Sequence, residues 1–247
     1  MFFSLFLFGE GSAMDTSGVK ELKMEKEIRF IFAFYFFVAG VEIVAEYVSF
    51  RPVIFLTKPL CMVILIYLWL VPFCRRLGGR GGEVQLLAAL ALLFSLVGDI
   101  FLMVDRDGFF LYGLGSFLFT HLHYIRIFWK IQKGGFYSFR GVVAGGGGFG
   151  LAMVLFAPYA GRMVWAIGLY AAVISAMFAC SFSCPSAWVR VGAGLFVLSD
   201  FIIAYDKFLH PVVGDRVWIM STYLLAQCFI HWGIFRSLLR GTRGRGS

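Results

Sequence analysis

The fold class the sequence predicts is an all-α integral membrane protein, a bundle of eight transmembrane helices with a candidate four-plus-four internal repeat. Three observations predict it. Of the 247 residues, 60% are hydrophobic and 15% charged, whereas soluble domains run at roughly 45–50% apolar and about 25% charged, and the mean hydropathy is +0.85. Apolar stretches close to the roughly 20 residues that a helix needs to cross a hydrocarbon core of about 30 Å recur along the chain. The Lys and Arg residues behind the net charge of +8 fall between those stretches, not on one polar face. A soluble domain is therefore excluded, and the basic charge reads as a topology signal with no nucleic acid partner implied.

In chain order, residues 1–8 (MFFSLFLF) are apolar but lack a basic leader and a persuasive cleavage site, which makes a poor signal peptide. Met14 and Met24 are alternative starts. Residues 1–27 read as a polar, flexible extension, 28–239 as the transmembrane domain and 240–247 as a basic tail. The predicted spans are 28–49, 52–74, 84–104, 109–131, 140–158, 162–182, 186–205 and 217–239. Turn signals separate them at Arg51-Pro52, 78–82, 105–108, Gly134-Gly135 and 206–215. Every backbone polar group in hydrocarbon must be satisfied internally, so apolar spans of this length are helices.

Alternate flanks of these spans carry fifteen Lys and Arg on one side against five (Arg51, Arg106, Arg162, Lys207 and Arg216) on the other. The positive-inside rule then places both termini in the cytoplasm, consistent with an even number of spans. The membrane is a bacterial inner membrane or the endoplasmic reticulum.

The third and seventh spans carry similar text, Leu93-Phe94-Ser95-Leu96-Val97-Gly98-Asp99 beside Leu195-Phe196-Val197-Leu198-Ser199-Asp200. The helices after them echo one another too, since Ser116-Phe117 precedes His121 at the spacing by which Thr222-Tyr223 precedes Gln227. A parallel repeat of this kind places sites at the interface between halves. Leucine-rich helices also look alike by chance, and that reading stays open.

Ionisable groups within the spans are Glu42, Glu46, Lys58, Asp99, His121, His123, Arg126 and Asp200. Each is costly in a membrane unless paired or wetted, so each asks for a use. At 1.5 Å per residue, Asp99 lies about 22 Å and Asp200 about 21 Å from the cytoplasmic starts of their spans, with His121 about 18 Å below the opposite face. These three can share a cavity in the outer half of the membrane, with Glu46 and Lys58 at similar depth. Ser95 and Asp99, Glu42 and Glu46, and Tyr223 and Gln227 are each four apart and share a helix face. With four carboxylates against one lysine at that level, at least one carboxyl is expected to hold its proton at neutral pH, giving a general acid beside a general base.

The plainer readings stand beside these. Asp99 and Asp200 also suit a proton or cation relay or buried hydrogen bonding, Lys58 suits balancing a carboxylate better than attacking a substrate, and His121 suits bridging helices as well as an active site. Glu42 and Glu46 can simply line a wet crevice. His123 and Arg126 lie nearer the cytoplasmic side, where headgroup contact is the default. Gly145 to Gly148 lack a following GK[ST] and read as close helix packing, not a phosphate loop. Five cysteines, an odd number without a CxxC pair, indicate neither a disulfide framework nor a zinc site. Nothing matches GxSxG, HExxH or a dinucleotide fingerprint, so a serine lipase, a zinc protease and a nucleotide-driven pump find no support.

One set of motifs covers the chain from about residue 40 to 235: Lys58-Pro59-Leu60 in the second span, Ser95 with Gly98-Asp99 in the third, and Phe110, Gly113, Phe117, His121 and Tyr124 in the fourth. It continues with Tyr170 and Met177 in the sixth, Gly192, Phe196-Val197, Ser199-Asp200 and Phe208 in and after the seventh, and Thr222-Tyr223 with Ala226-Gln227 in the eighth. In order and spacing this resembles the YhhN-like lysoplasmalogenase family. The resemblance implies an eight-helix membrane hydrolase that cleaves the vinyl ether bond of a lysophospholipid substrate, without a metal or other cofactor. It places Asp99 and Asp200 as the catalytic pair, with Lys58, His121, Tyr223, Gln227, Ser95 and Glu46 as binding or positioning groups. Two other readings remain: a small-solute or proton-coupled transporter, favoured by the repeat and the mid-membrane carboxylates, and a non-catalytic lipid-binding membrane protein.

Overall fold

A computed structural model of the chain describes residues 16–70, 80–132 and 138–243, with side chains over 26–70, 81–132 and 138–238. The described residues form eight α-helices: α1 (Thr16–Tyr47), α2 (Arg51–Leu70), α3 (Arg80–Val104), α4 (Phe110–Ile131), α5 (Phe139–Phe156), α6 (Val164–Ser181), α7 (Ala187–Phe208) and α8 (Asp215–Arg243). Two 3-10 turns, Ala157–Tyr159 and Gly161–Met163, join α5 to α6.

Seven of these helices are long and apolar enough to cross a membrane, which makes the chain a multi-pass integral membrane protein. The sequence predicts eight such spans. The helix that does not qualify is α4, because His121, His123, Arg126 and Lys130 dilute its apolar residues. Helix α1 starts at Thr16, ahead of the span predicted from residue 28, since nothing in KELKMEKE breaks a helix. The segment of α1 long and apolar enough to cross a membrane is Lys26–Tyr47. The predicted turn at Gly134-Gly135 and the first fifteen residues lie outside the described residues, as does Cys74; Cys61, Cys180, Cys184 and Cys228 are buried free thiols.

Short connections force neighbouring helices antiparallel. Ser49 takes a left-handed conformation (φ 55°), and the Phe50 amide donates back to the Ala45 carbonyl at 2.9 Å, ending α1 and turning the chain into α2. After α3, Asp105 Oδ1 accepts from the amides of Asp107 (3.1 Å) and Gly108 (2.9 Å), a tight turn that starts α4. Arg106 pairs with Asp206 at 3.3 Å and with Asp215, while Lys207 pairs with Asp107, so this turn is tied to the end of α7 and the start of α8. The hydrogen bond from Lys207 is the main reason the Asp107 carboxyl is held below its ordinary range.

Glycines set the closest approaches. A Cβ on Gly98 would sit 2.8 Å from the Phe117 ring, and one on Gly192 2.8 Å from the backbone nitrogen of Ile230, so α3 packs on α4 and α7 on α8 with almost no space between them. In the glycine run of α5, Gly145 meets the Ser175 carbonyl of α6, whereas Gly146 and Gly147 face open space. Close packing thus explains part of that run only. Outward faces are aromatic and aliphatic, as at Phe30, Val154 and Trp165, a surface suited to lipid.

Candidate active site

Aspartates from the two similar spans lie at the centre of the bundle. Asp99 of α3 is 3% exposed, and its Oδ2 accepts the Tyr223 hydroxyl of α8 at 2.8 Å. The same hydroxyl is 3.4 Å from the sulfur of Met62. On α7, Asp200 has a side chain 13% exposed, and its Oδ2 accepts the Tyr170 hydroxyl of α6. Because that hydroxyl donates to Asp200, its oxygen accepts from His121 Nε2, 3.0 Å away, and Nε2 is also 3.5 Å from Asp200 Oδ2. The proton of His121 therefore lies on Nε2. Its Nδ1 is buried and has no hydrogen-bond partner among the described residues. Asp200 and Lys58 both lie within Coulomb range of Asp99.

A hydrogen-bond chain of one direction runs beside this pair. An indole N–H can only donate, so His231 Nδ1 must accept from Trp69 Nε1 at 2.8 Å. The proton of His231 is then on Nε2, which donates to the Tyr124 oxygen at 3.0 Å. Tyr124 donates to Gln227 Oε1, and Gln227 Nε2 donates to Ser95 Oγ at 2.9 Å. Ser95 lies 3.2 Å from Thr120 Oγ1, which donates to the Ala91 carbonyl at 3.1 Å. Each member has a partner of the right sign, and the chain fixes α2, α3, α4 and α8 around Asp99.

Two cavities flank the aspartates. One of about 220 Å³ is lined by polar residues including Glu46, Arg51, Lys58, Asp105, Arg106 and Arg216, with Leu102, Met103, Ile203 and Met220 among its apolar walls. The other, about 50 Å³, is apolar apart from Asp200 and Tyr170 and is lined by Phe110, Leu114, Phe117, Ile167 and Phe208. Leu102 and Ile203 line both. Each lies three residues after an aspartate, Asp99 on α3 and Asp200 on α7, so each carboxylate is about one helical turn from this shared wall; Asp200 itself lines the apolar cavity and Asp99 lines neither.

The structure joins Asp99 to Tyr223, with Lys58 beyond ion-pair distance but near enough to act on Asp99 through its charge, and separately joins Asp200 with His121. Gln227 and Ser95 bond to one another, not to either aspartate. Glu46 lines the larger cavity and is buried, with Oε2 unpartnered among the described residues. Glu42 is bonded to Thr57. His123 bonds the Phe119 carbonyl at 2.6 Å and stacks on Phe94, and Arg126 is exposed. The residues missed are Tyr170, Tyr124, Trp69 and His231, the last of which is itself ionisable and inside the eighth predicted span. Their signal is a polar tip on an aromatic body inside an apolar run, since such tips find partners when buried. Among the described residues, no group of three or more His, Cys, Asp or Glu is arranged to hold a metal ion.

These features define a polytopic helical membrane protein with two tyrosine-bonded carboxylates, Asp99 buried and Asp200 partly exposed, near the wall shared by a polar and an apolar cavity. The chain belongs to the YhhN family, whose model matches residues 53–234. It is similar to the lysoplasmalogenase TMEM86A of Bos taurus (34% identical over 149 residues, 56% of this chain and 61% of that protein) and to its Homo sapiens counterpart (32% over 150 residues, with the same shares). A lysoplasmalogenase of Mycobacterium bovis is 31% identical over 157 residues, 59% of each chain. The matched region thus spans about three-fifths of the length of these relatives. No solved structure matches the chain.

Proposed function

We propose that this protein is a membrane hydrolase that cleaves the vinyl ether bond of lysoplasmalogens, releasing a fatty aldehyde and glycerophosphocholine or glycerophosphoethanolamine. The observation that carries this reading is the pair of carboxylates, Asp99 buried and Asp200 partly exposed, each bonded by a tyrosine hydroxyl and each one helical turn from the wall shared by a polar cavity and an apolar one. A lysophospholipid has that same division, with the vinyl ether at the junction of headgroup and chain. The similarity to proteins named lysoplasmalogenase supports the same substrate.

The chemistry needs a proton on the alkene carbon next to the chain, stabilisation of the oxocarbenium ion that results, and attack of water on the ether-bearing carbon. The hemiacetal then collapses to the aldehyde, and the glycerol oxygen leaves as the alcohol. Asp200, facing the Tyr170 hydroxyl and the imidazole of His121, carries the negative charge beside the cation and accepts the proton of the attacking water. Asp99 delivers the proton to carbon. Tyr223 holds its carboxyl, and Lys58 sets the local field. Gln227 and Ser95 act through the chain that fixes α3 against α8, and Glu46 acts at the polar cavity.

The four-plus-four arrangement belongs to this proposal. Asp99, on the third helix of one half, meets Tyr223 on the fourth helix of the other, and Asp200 meets His121 in the same crossed way. Eight spans would put both termini in the cytoplasm and the polar cavity at the opposite face of a bacterial inner membrane or the endoplasmic reticulum.

The test is aldehyde release from a lysoplasmenyl lipid by purified protein, with Asp99→Asn, Asp200→Asn and an ester-linked lysolipid as comparisons. Loss of release by at least about a hundredfold in both variants, at unchanged thermal midpoint, is expected from removal of a proton-transfer group. Full activity in both variants, or equal turnover of the ester, would contradict the proposal.

A further inference from the structure

Three cations of the larger cavity lie beyond ion-pair distance of any carboxylate among the described residues. Among the described residues Arg51, Lys58 and Arg216 form no ion pair, whereas Arg106 in the same wall is held by Asp206 and Asp215. Arg51 is the first residue of α2 and Arg216 the second of α8. The free amides of a helix N-terminus already make the local field positive, so a cation in the first turn is unfavourable unless an anion faces it. The first turn of α2 holds no acid, and the acid in the first turn of α8, Asp215, is taken by Arg106, so two such cations bordering one cavity call for an anion between them.

The cavity also has the opposite charge. Glu46 is buried, its Oε2 has no partner, and no cation of the wall lies within 4.0 Å of it. With Arg106 held by Asp206 and Asp215, Asp105 engaged by backbone amides and Lys58 acting on Asp99, the wall leaves Glu46 and two arginines apart, which matches a ligand that carries both signs. At about 220 Å³ the space equals roughly seven waters at about 30 Å³ each. Its apolar residues Leu102, Met103 and Met220 lie one helical turn from Asp99 and Tyr223, so a headgroup here leaves its glycerol directed at the aspartates.

We propose that the cavity bounded by Arg51, Arg216, Lys58 and Glu46 is the subsite for the zwitterionic phosphodiester headgroup, with the phosphate against Arg51 and Arg216 and the ammonium against Glu46. This rests on the reading of the chain as a lysophospholipid hydrolase. Lys58 sits deepest of the three cations, seven residues or about 10 Å along α2 from Arg51, where it faces Asp99 and not the phosphate.

The test compares three substrates with the same alkenyl chain: the phosphocholine, the phosphate monoester that lacks the ammonium, and the alkenylglycerol that lacks both charges. Arg51→Gln with Arg216→Gln is expected to raise KM for the phosphocholine about tenfold or more, with kcat within about threefold, because charge-assisted bonds to phosphate are lost. The effect on alkenylglycerol should stay within about twofold. Glu46→Gln is expected to lower the preference for phosphocholine over phosphate monoester about tenfold. The Arg51→Lys, Arg216→Lys pair keeps the charge and guards against a folding defect: it should recover part of the affinity. Equal losses on phosphocholine and alkenylglycerol, or an unchanged KM for the phosphocholine, would overturn the subsite.

A binding measurement separates this proposal from the one it rests on. Calorimetry with the non-hydrolysable alkyl ether lysophosphocholine in detergent should show a Kd that rises about tenfold in the double glutamine variant. Arginine-dependent binding without aldehyde release from the vinyl ether would leave the subsite standing and remove the hydrolase. Aldehyde release with an arginine-independent Kd would do the reverse.

Discussion

Replacing Tyr124 with Phe removes one oxygen from the middle of the hydrogen-bond chain and leaves two buried groups alone. These are Gln227 Oε1, which loses its donor, and His231 Nε2–H, which loses its acceptor. Both side chains are 0% exposed, so water does not substitute. In soluble proteins each unsatisfied buried group costs about 1–3 kcal/mol, which would put the total at about 2–6 kcal/mol. In membrane bundles, coupling across helices averages about 0.6 kcal/mol and reaches about 1.7, because the separated helices also find partners, so two bonds give about 1–3 kcal/mol. The second range governs here, since the reference state is helical and within lipid. The assay is reversible unfolding in mixed micelles, with Tyr112→Phe as the control, whose hydroxyl has no partner among the described residues and whose loss should stay within about 0.5 kcal/mol. Adding Gln227→Leu to Tyr124→Phe should cost less than the sum of the two single changes, because the orphaned acceptor goes with its donor. A Tyr124→Phe protein no less stable than Tyr112→Phe would refute the chain.

Tyr170→Phe removes the hydroxyl between His121 and Asp200, and His121 Nε2, already 3.5 Å from Asp200, can close on it. Thermal stability should therefore change little, while kcat falls about ten- to a hundredfold with KM steady, as for a bond that strengthens in the transition state; a shift confined to KM would contradict that role. Gly192→Ala drives a Cβ to 2.8 Å from the backbone nitrogen of Ile230 and should cost about 1–3 kcal/mol by overpacking. Gly147→Ala meets nothing within 4 Å and should gain about 0.5–1 kcal/mol from helix propensity. Equal effects of the two alanines on the unfolding midpoint would show that α7 and α8 are not in contact there.

Much of the fold was legible because bilayer thickness constrains helix length so strongly. Predicted spans such as 84–104 and 186–205 match α3 and α7 to within a few residues. What periodicity could not show is why α4 differs: it gives up apolarity to carry His121 and Tyr124 into the bundle, so its helix is plain but its hydropathy is not. The aspartates were legible because a carboxylate in an apolar span is costly wherever it points. Of their partners, Tyr223 was singled out on one helix face with Gln227, but its bond to Asp99 needs α8 packed against α3, and Tyr170 looks like a core aromatic until a neighbouring helix supplies the acceptor. His231 was hidden for the same reason: its role depends on Trp69, 162 residues away. Depth arithmetic put Glu46 and Lys58 at the level of the aspartates, but only packing shows that Glu46 faces the polar cavity and not the pair.

Protonation of the alkene carbon of a vinyl ether by a carboxylate leaves a mark when hydrolysis is run in deuterated water. Aldehyde trapped as it forms should carry a single deuterium on the carbon next to the carbonyl, and Asp99→Asn should abolish this labelled product. Aldehyde without deuterium at that carbon, or labelled aldehyde formed as fast by the Asp99→Asn protein, would contradict it.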